Sequence, residues 1–240
     1  MNADIAAQLV ALNHLFYADF GASFSATRGR IQSGVRRILS QLKGTEYILD
    51  LGCGNGQLAR TLAERGHRGA YLGLDFSLPL LKDAERQPET FTVNFQPADL
   101  TALDWSTFNL QPSTFNLVFS FAFLHHIPGH HLRRNILQKA RSLLAPGGKF
   151  IHSEWQFMNS DKLKARIQPW ERVNLSAADV DPGDALLDWR SDGNGLRYVH
   201  HFSEQELLDL ASETGFRVVE SFLSDGVDGR LGLYQVWEGS

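Results

Sequence analysis

Gly52, Gly54 and Gly56, in the run YILDLGCGNGQLA at residues 47–59, are spaced to let a backbone turn tightly and approach a ligand closely. Asp50 stands just before them, and Asp75 closes a second apolar run, AYLGLD, about twenty residues beyond the loop. Two acids around a glycine hinge suit a cofactor with a cationic amine and a free ribose better than one with a pyrophosphate. Nicotinamide dehydrogenases share part of the spacing, but they favour a further glycine where this chain has Leu58.

A second group of reactive side chains follows the FNLVFSF run. His125 and His126 come first, then His130 and His131. Pro128 and Gly129 break the helical register between the pairs, and no carboxylate cluster accompanies them, so no metal is expected. His125 reads as a pocket residue or general base, or else as a structural histidine bonding backbone at a strand end. The sole cysteine, Cys53, lies inside the glycine loop as a small loop residue, which argues against covalent chemistry through a thiol.

These residues must be carried by strands and helices in alternation. YILDL, AYLGLD, FTVNFQ, FNLVFSF and KFIHSEW are apolar strand-like runs separated by the helical patterns GQLARTLAER, SLPLLKDAER and HLRRNILQKARSLL, which predicts a parallel sheet with crossover helices. Ligands bind such sheets beyond the carboxyl ends of the strands, where strand order reverses. The five runs end in Asp50 with the glycine loop, Asp75, Ala98 with Asp99, Ser120 with Phe121, and Glu154 with Trp155. All converge on one crevice.

Ahead of this core, residues 4–17 and 27–42 carry amphipathic helical patterns. After it, residues 159–195 are polar, with clustered Asp, Pro and Gly, and read as an insertion with partial helix that covers the site. Residues 202–214 read as a helix with Ser203 as N-cap and Glu206 closing a capping box, followed by the strand pair FRVVESFL and RLGLYQVW. The expected fold is therefore α/β: a Rossmann-like, doubly wound, mostly parallel seven-stranded sheet with a C-terminal antiparallel hairpin, N-terminal helices and an inserted cap. One domain over residues 1–240 is expected, divided into N-terminal helices (1–45), cofactor-binding core (46–155), cap (156–201) and final helix and strand pair (202–240).

With 240 residues and 43% hydrophobic content, the chain can bury one substantial core. A net charge of −4 argues against coating nucleic acid by charge alone. The absence of a leader pattern, of an internal disulfide and of a long apolar span leads to the expectation of a cytoplasmic protein without membrane association.

Residues 47–155, with a weaker extension to Gly215 and Phe216, resemble the class I S-adenosylmethionine-dependent methyltransferases. The resemblance implies S-adenosylmethionine as cofactor, S-adenosylhomocysteine as product and no metal. It makes DLGCGNG the methionine-side loop, gives Asp75 both ribose hydroxyls and sets Asp99 against the adenine amine. Asp50 then lies near the ammonium or organises the loop, and Phe76 lies against the adenine. Members that methylate amide or adenine amines carry an Asn- or Asp-Pro-Pro-aromatic turn where this chain reads SFAFLHHIP, which disfavours those targets.

The flanks resemble a narrower branch, the eukaryotic tRNA wobble-uridine methyltransferases that esterify a carboxymethyl group. Phe24, Ser25, Thr27 and Arg28 match its aromatic-Ser-x-Thr-Arg segment. Trp155, Trp189 at the end of PGDALLDW, and Arg197, Tyr198, His200 and Phe202 of RYVHHF match its later segments. Val199, Asp188 and the missing Trp-Pro after Arg28 depart from it.

A carboxylate acceptor is already ionised at neutral pH and needs orienting cations and donors rather than a base. Arg197, His200 and Tyr198 suit that role, with Trp155 or Trp189 as a flat wall. Arg28 suits the methionine carboxylate, with Tyr17 assisting, or else a helix-surface ion pair. The acceptor is thus expected to be tRNA or a small molecule such as a quinone, lipid or natural-product precursor. The third alternative is a non-catalytic cofactor-binding subunit. Short basic clusters (Arg28, Arg30, Arg36, Arg37; Arg133, Arg134, Lys139, Arg141; Lys162, Lys164, Arg166) read as solvated helix faces, so a small activating protein would supply additional RNA grip.

Overall fold

The computed structural model describes residues 1–26, 29–85, 91–102, 104–190 and 193–240. In chain order the elements are α1 (Ala3–Ala26), α2 (Ser33–Leu39), β1 (Tyr47–Leu51), α3 (Gln57–Glu64), β2 (Ala70–Asp75), α4 (Leu78–Ala84), β3 (Thr92–Pro97), β4 (Phe115–Phe121), α5 (His130–Leu143) and β5 (Leu144–Trp155). There follow α6 (Asp161–Lys164), β6 (Ile167–Gln168), β7 (Asp184–Asp188), β8 (Leu196–His200), α7 (Glu204–Glu213), β9 (Phe216–Ser224) and β10 (Gly232–Gly239).

The strands are apolar along nearly their whole length because both sheet faces are covered. On β1, Ile48 packs with Val35, Leu58 and Leu62 of α2 and α3, while Leu49 and Leu51 pack with Ile136, Leu137 and Leu207 of α5 and α7. The main sheet has the order β3-β2-β1-β4-β5-β10-β9, with β10 antiparallel to both neighbours. Strand order reverses between β1 and β4, which run parallel, so Asp50 and Phe121 end on either side of the switch point. The seven-stranded sheet and its antiparallel hairpin agree with the sequence reading. Among the described residues no helix is long and apolar enough to cross a membrane.

Two elements differ from that reading. The first helix continues through residues 18–26, because Phe16, Tyr17, Phe20 and Phe24 pack on Trp189, Phe76 and Leu80. Its successor shrinks to seven residues. The insertion is chiefly a three-stranded antiparallel sheet, β6-β7-β8, with α6 reduced to four residues. Residues 196–200 pair along their length with β7, and α1 adds a side-chain partner: the Asn13 amide accepts the Tyr198 N–H (2.8 Å) and donates to the Tyr198 carbonyl (3.2 Å). It thereby acts as a neighbouring strand would.

The predicted capping box forms by half. Ser203 Oγ accepts the Glu206 N–H at 3.1 Å, but the Glu206 carboxylate turns to His200 and Arg133. Arg133 is correspondingly no surface cation. It is 1% exposed, donating to the Ile127 carbonyl, Glu206 and Tyr198 Oη, with its guanidinium over the Phe202 ring.

Candidate functional site

The glycine loop hangs from the end of β2. Gly52 and Cys53 donate their N–H groups to the Leu74 carbonyl (2.8 and 3.1 Å), and Gly54 donates to Asp75 Oδ2 (2.9 Å). At Gly52 a Cβ would lie 2.6 Å from the Phe123 ring, whereas at Gly54 it would meet nothing within 4 Å. With φ of +55°, Gly54 presents bare backbone to a cavity of about 300 Å³. Gly56 sits behind it as the left-handed N-cap of α3 and does not line the cavity.

Asp50, Asp75 and Asp99 are among the carboxylates that border this cavity. Asp50 is buried and accepts the Tyr71 hydroxyl at 2.5 Å. Burial pushes its carboxyl up to about 7, against the pull of Tyr71 and with the help of the nearby Asp75 charge. Asp75 is raised by burial too, offset by the N–H groups of Ser77 (2.8 Å) and Gly54. Asp99 is more open and caps Thr101 through its N–H (2.9 Å) and hydroxyl (2.6 Å). Ala98 lines the cavity and donates to the Asp75 carbonyl. Phe76 forms a wall, its ring 4.2 Å from that of His14 and edge-on to Tyr17 at 5.8 Å. Tyr17 Oη lies 3.2 Å from His126 Nε2, and both residues line the cavity.

The far side of the cavity holds Phe121, His125, Glu154, Trp155 and Arg197. Arg197 is 3% exposed, and its guanidinium lies over four rings: Trp155 at 5.1 Å, Phe16 at 5.5 Å, Phe24 at 5.7 Å and Trp189 at 6.0 Å. Aromatic faces hold a cation while keeping the surroundings dry. His125 Nδ1 lies 3.0 Å from Glu154 Oε2, and the backbone N–H of Trp155 donates to the same nitrogen (3.2 Å).

Several expected site residues fall elsewhere. Ser120 is fully buried on the opposite sheet face from Phe119 and Phe121 and does not reach the cavity, because side chains alternate along a strand. Trp189 forms the back of the Arg197 enclosure, outside the cavity lining. Tyr198 and His200 also lie off the cavity. Tyr198 Oη donates to Asp184 (2.6 Å) and accepts from Arg133 (2.8 Å), while His200 bridges Asp184 (2.6 Å) and Glu206 (3.0 Å). They fasten β8 to α5 and α7, so their polarity serves burial rather than an acceptor. Tyr198→Phe is therefore expected to cost about 2 kcal/mol of stability, read as a lower thermal midpoint, while ligand affinity at the cavity stays unchanged.

The histidines diverge: His130 pairs with Glu213 (2.7 Å) and His131 with Asn135 (3.1 Å) on the surface. Among the described residues no three potential ligands converge on a metal position. Arg28 lies outside the described residues. The sequence reading placed Glu154 at a strand end beside the crevice but gave it no chemical role, and it gave none to His14 or Tyr71.

A doubly wound sheet of this order, with a glycine loop and acids at successive strand ends, defines the class I S-adenosylmethionine-dependent methyltransferases. The chain belongs to the methyltransferase domain family, whose model matches residues 24–221. A protein of Encephalitozoon cuniculi, assigned to the methyltransferases by name alone, is 30% identical over 86% of this chain and 88% of its own length. The tRNA (carboxymethyluridine(34)-5-O)-methyltransferase of Arabidopsis thaliana is 26% identical over 81% of the chain, and the ubiquinone biosynthesis O-methyltransferase of Coxiella burnetii is 29% identical over 47%. This chain spans under half of those two proteins, 45% and 44%.

Two solved structures share the fold. A SAM-dependent methyltransferase of Methanosarcina mazei has a TM-score of 0.66 and 22% identity, covering 85% of this chain and 96% of its own. The 1,6-didemethyltoxoflavin-N1-methyltransferase of Burkholderia thailandensis has a TM-score of 0.66 and 21% identity, covering 100% and 92%.

Proposed function

We propose that the protein transfers the methyl group of S-adenosylmethionine to an oxygen of an acceptor carboxylate, forming a methyl ester. The observation that carries this reading is Arg197, a buried guanidinium walled by four aromatic rings and facing the same cavity as the glycine loop. The donor half fits the cofactor: Gly54 leaves backbone open to the cavity, and Asp50, Asp75 and Asp99 offer carboxylates for an ammonium, ribose hydroxyls and an adenine amine. When bound, S-adenosylmethionine supplies an electrophilic methyl on a sulfonium.

The acceptor oxygen attacks that carbon in line as the carbon–sulfur bond breaks, leaving a neutral ester and a thioether. No proton moves. Positive and negative charge cancel on reaction, so Arg197 has to hold the carboxylate in line without stabilising it so far that it ceases to be a nucleophile. Trp155 and Phe121 add flat apolar walls on that side.

The Arabidopsis relative supports a carboxymethylated wobble uridine of tRNA as the carrier, since its similarity extends over 81% of the chain rather than over the core alone. The test is transfer of a tritiated methyl group to bulk tRNA set against a metabolite extract. Label in RNA that mild alkali releases is the expected result. Label confined to small molecules would refute the tRNA carrier, and alkali-stable label would refute the ester.

A second reading is favoured by His125 beside Glu154: a base arranged to take the proton of a small-molecule hydroxyl.

Cofactor affinity should depend on pH through Asp50. Only the ionised carboxylate attracts an ammonium, and with its proton affinity raised to about 7 that form accumulates as pH rises through neutrality. Calorimetry should therefore show binding strengthening from acidic to mildly alkaline pH, with the trend flattened in Asp50→Asn. The linked effect on the free protein has the opposite sign. The folded state holds this proton more tightly than the unfolded chain does, so stability from this group declines as pH rises from the ordinary carboxylate range to about 7.

A further inference from the structure

We infer that the adenine end of the cofactor site opens into a second cavity past a partition formed by His14 and Asp99. The protein then reads one N–H of the adenine amine and accepts a cofactor that carries a substituent in place of the other. His14 is a specificity-determining residue on this account. This rests on the assignment of Asp99 to the adenine amine in the reading above, whichever acceptor is methylated.

The second cavity, of about 1010 Å³, lies between the N-terminal half of α1 and the start of α5. Four residues line both cavities: Val10, His14, Asp99 and Thr101. One face of α1 serves each in turn, because positions three and four apart are neighbours on a helix. Ala3, Ala7, Ala11 and His14 border the second cavity, and Val10, His14 and Tyr17 continue along the cofactor cavity. The alanines leave room beside the helix. Ala7 and Ala11 are exposed, so this second cavity is a groove that reaches solvent.

The partition is a contact and not a bond. His14 Nε2 stands 3.9 Å from Asp99 Oδ2, beyond hydrogen-bond range. The His14 side chain makes no hydrogen bond among the described residues, and its ring rests on that of Phe76 at 4.2 Å. Turning it aside therefore costs a ring contact and no hydrogen bond. Asp99 Oδ1 accepts the Thr101 N–H (2.9 Å) and hydroxyl (2.6 Å), which leaves Oδ2 as the oxygen with no donor among the described residues. An adenine amine brings two N–H groups to that one oxygen. One is read and the other is not, so a group replacing the second forfeits no bond to Asp99 and can pass His14 into the groove.

Calorimetry on the full-length protein with S-adenosylhomocysteine and its N6-benzyl derivative tests this. The derivative should bind within about tenfold of the parent, and a larger loss would mean a closed adenine end and overturn the proposal. An N6,N6-dimethyl derivative, which has no N–H for Asp99, should bind at least about tenfold more weakly than the benzyl one. Equal binding of the two would show that Asp99 does not read the amine. Ala11→Trp places an indole in the groove, leaning toward the N-terminus of α1 and so away from His14. It should weaken the benzyl derivative at least about tenfold and leave the parent within about twofold. Equal effects on both ligands, or none, would put the benzyl group elsewhere and overturn the groove. His14→Ala removes the partition, so the affinity ratio should shift toward the derivative, which a merely structural role for His14 would not produce; an unchanged ratio counts against it. The two readings fail separately: a parent that does not bind removes the cofactor assignment itself, and a parent that binds while the derivative is rejected removes the open adenine end alone.

Discussion

Arg197→Met is expected to lower kcat/KM for methyl transfer by about a hundred- to a thousandfold while leaving S-adenosylmethionine affinity within about twofold. A bidentate guanidinium–carboxylate pair comprises two charge-assisted hydrogen bonds, each worth roughly 1.5–3 kcal/mol, and about 1.4 kcal/mol corresponds to a tenfold change in rate. Methionine keeps an apolar chain among Phe16, Phe24, Trp155 and Trp189, so the enclosure stays filled and the effect is confined to charge and fork. Lysine should recover only part of the loss, because it restores the charge without the planar pair of donors. Cofactor binding is spared because the donor-side acids stand on the ends of β1, β2 and β3, whereas Arg197 comes from β8. Calorimetry and initial rates on the same preparations separate the two halves. Loss of cofactor binding in Arg197→Met would assign the residue to the donor side.

The donor half was legible because it is written locally. Glycines at fixed spacing, an acid directly after an apolar run, and strand–helix alternation all lie within a few residues of the feature they specify. Asp50, Asp75, Ala98, Asp99 and Phe121 reach the cavity as those runs predict. The side of the cavity proposed for the acceptor is assembled from residues distant in sequence, and there one-dimensional reasoning separated badly. Arg197, Tyr198 and His200 are near neighbours in RYVHHF, yet strand alternation and the Asn13 clamp send Arg197 to the cavity and leave the other two in a charged cluster with Arg133, Asp184 and Glu206. Ser120 fails by the same alternation. Glu206 was read as a capping-box partner because its position beside Ser203 allows that bond, but Arg133 offers a buried cation and His200 a further hydrogen-bond partner that a surface cap does not. The His125–Glu154 contact joins residues 29 apart, and no spacing rule marks it.

The Asp75 carboxylate should prove the most sensitive point of the donor half: Asp75→Ala is expected to weaken S-adenosylmethionine binding at least about a hundredfold by calorimetry. Two losses combine. Ribose hydroxyls forfeit a charged acceptor, worth about 1.5–3 kcal/mol for each hydrogen bond. The glycine loop loses the bond from Gly54 N–H that ties it to the end of β2, and the Ser77 N–H at the start of α4 loses its acceptor. Asp75→Asn separates these contributions. The amide can accept one of the two N–H groups but turns a donor toward the other, so the loop contribution is only half restored and affinity should recover little. The same substitution removes a negative charge that helps hold the proton on Asp50. Its proton affinity should then fall below about 7, and the residual cofactor binding of Asp75→Asn should reach its plateau at a lower pH than wild type. If affinity falls while the pH dependence stays where it was, Asp75 acts on the ligand alone. A shift of both would establish that the two acids titrate as one electrostatic unit beneath the glycine loop.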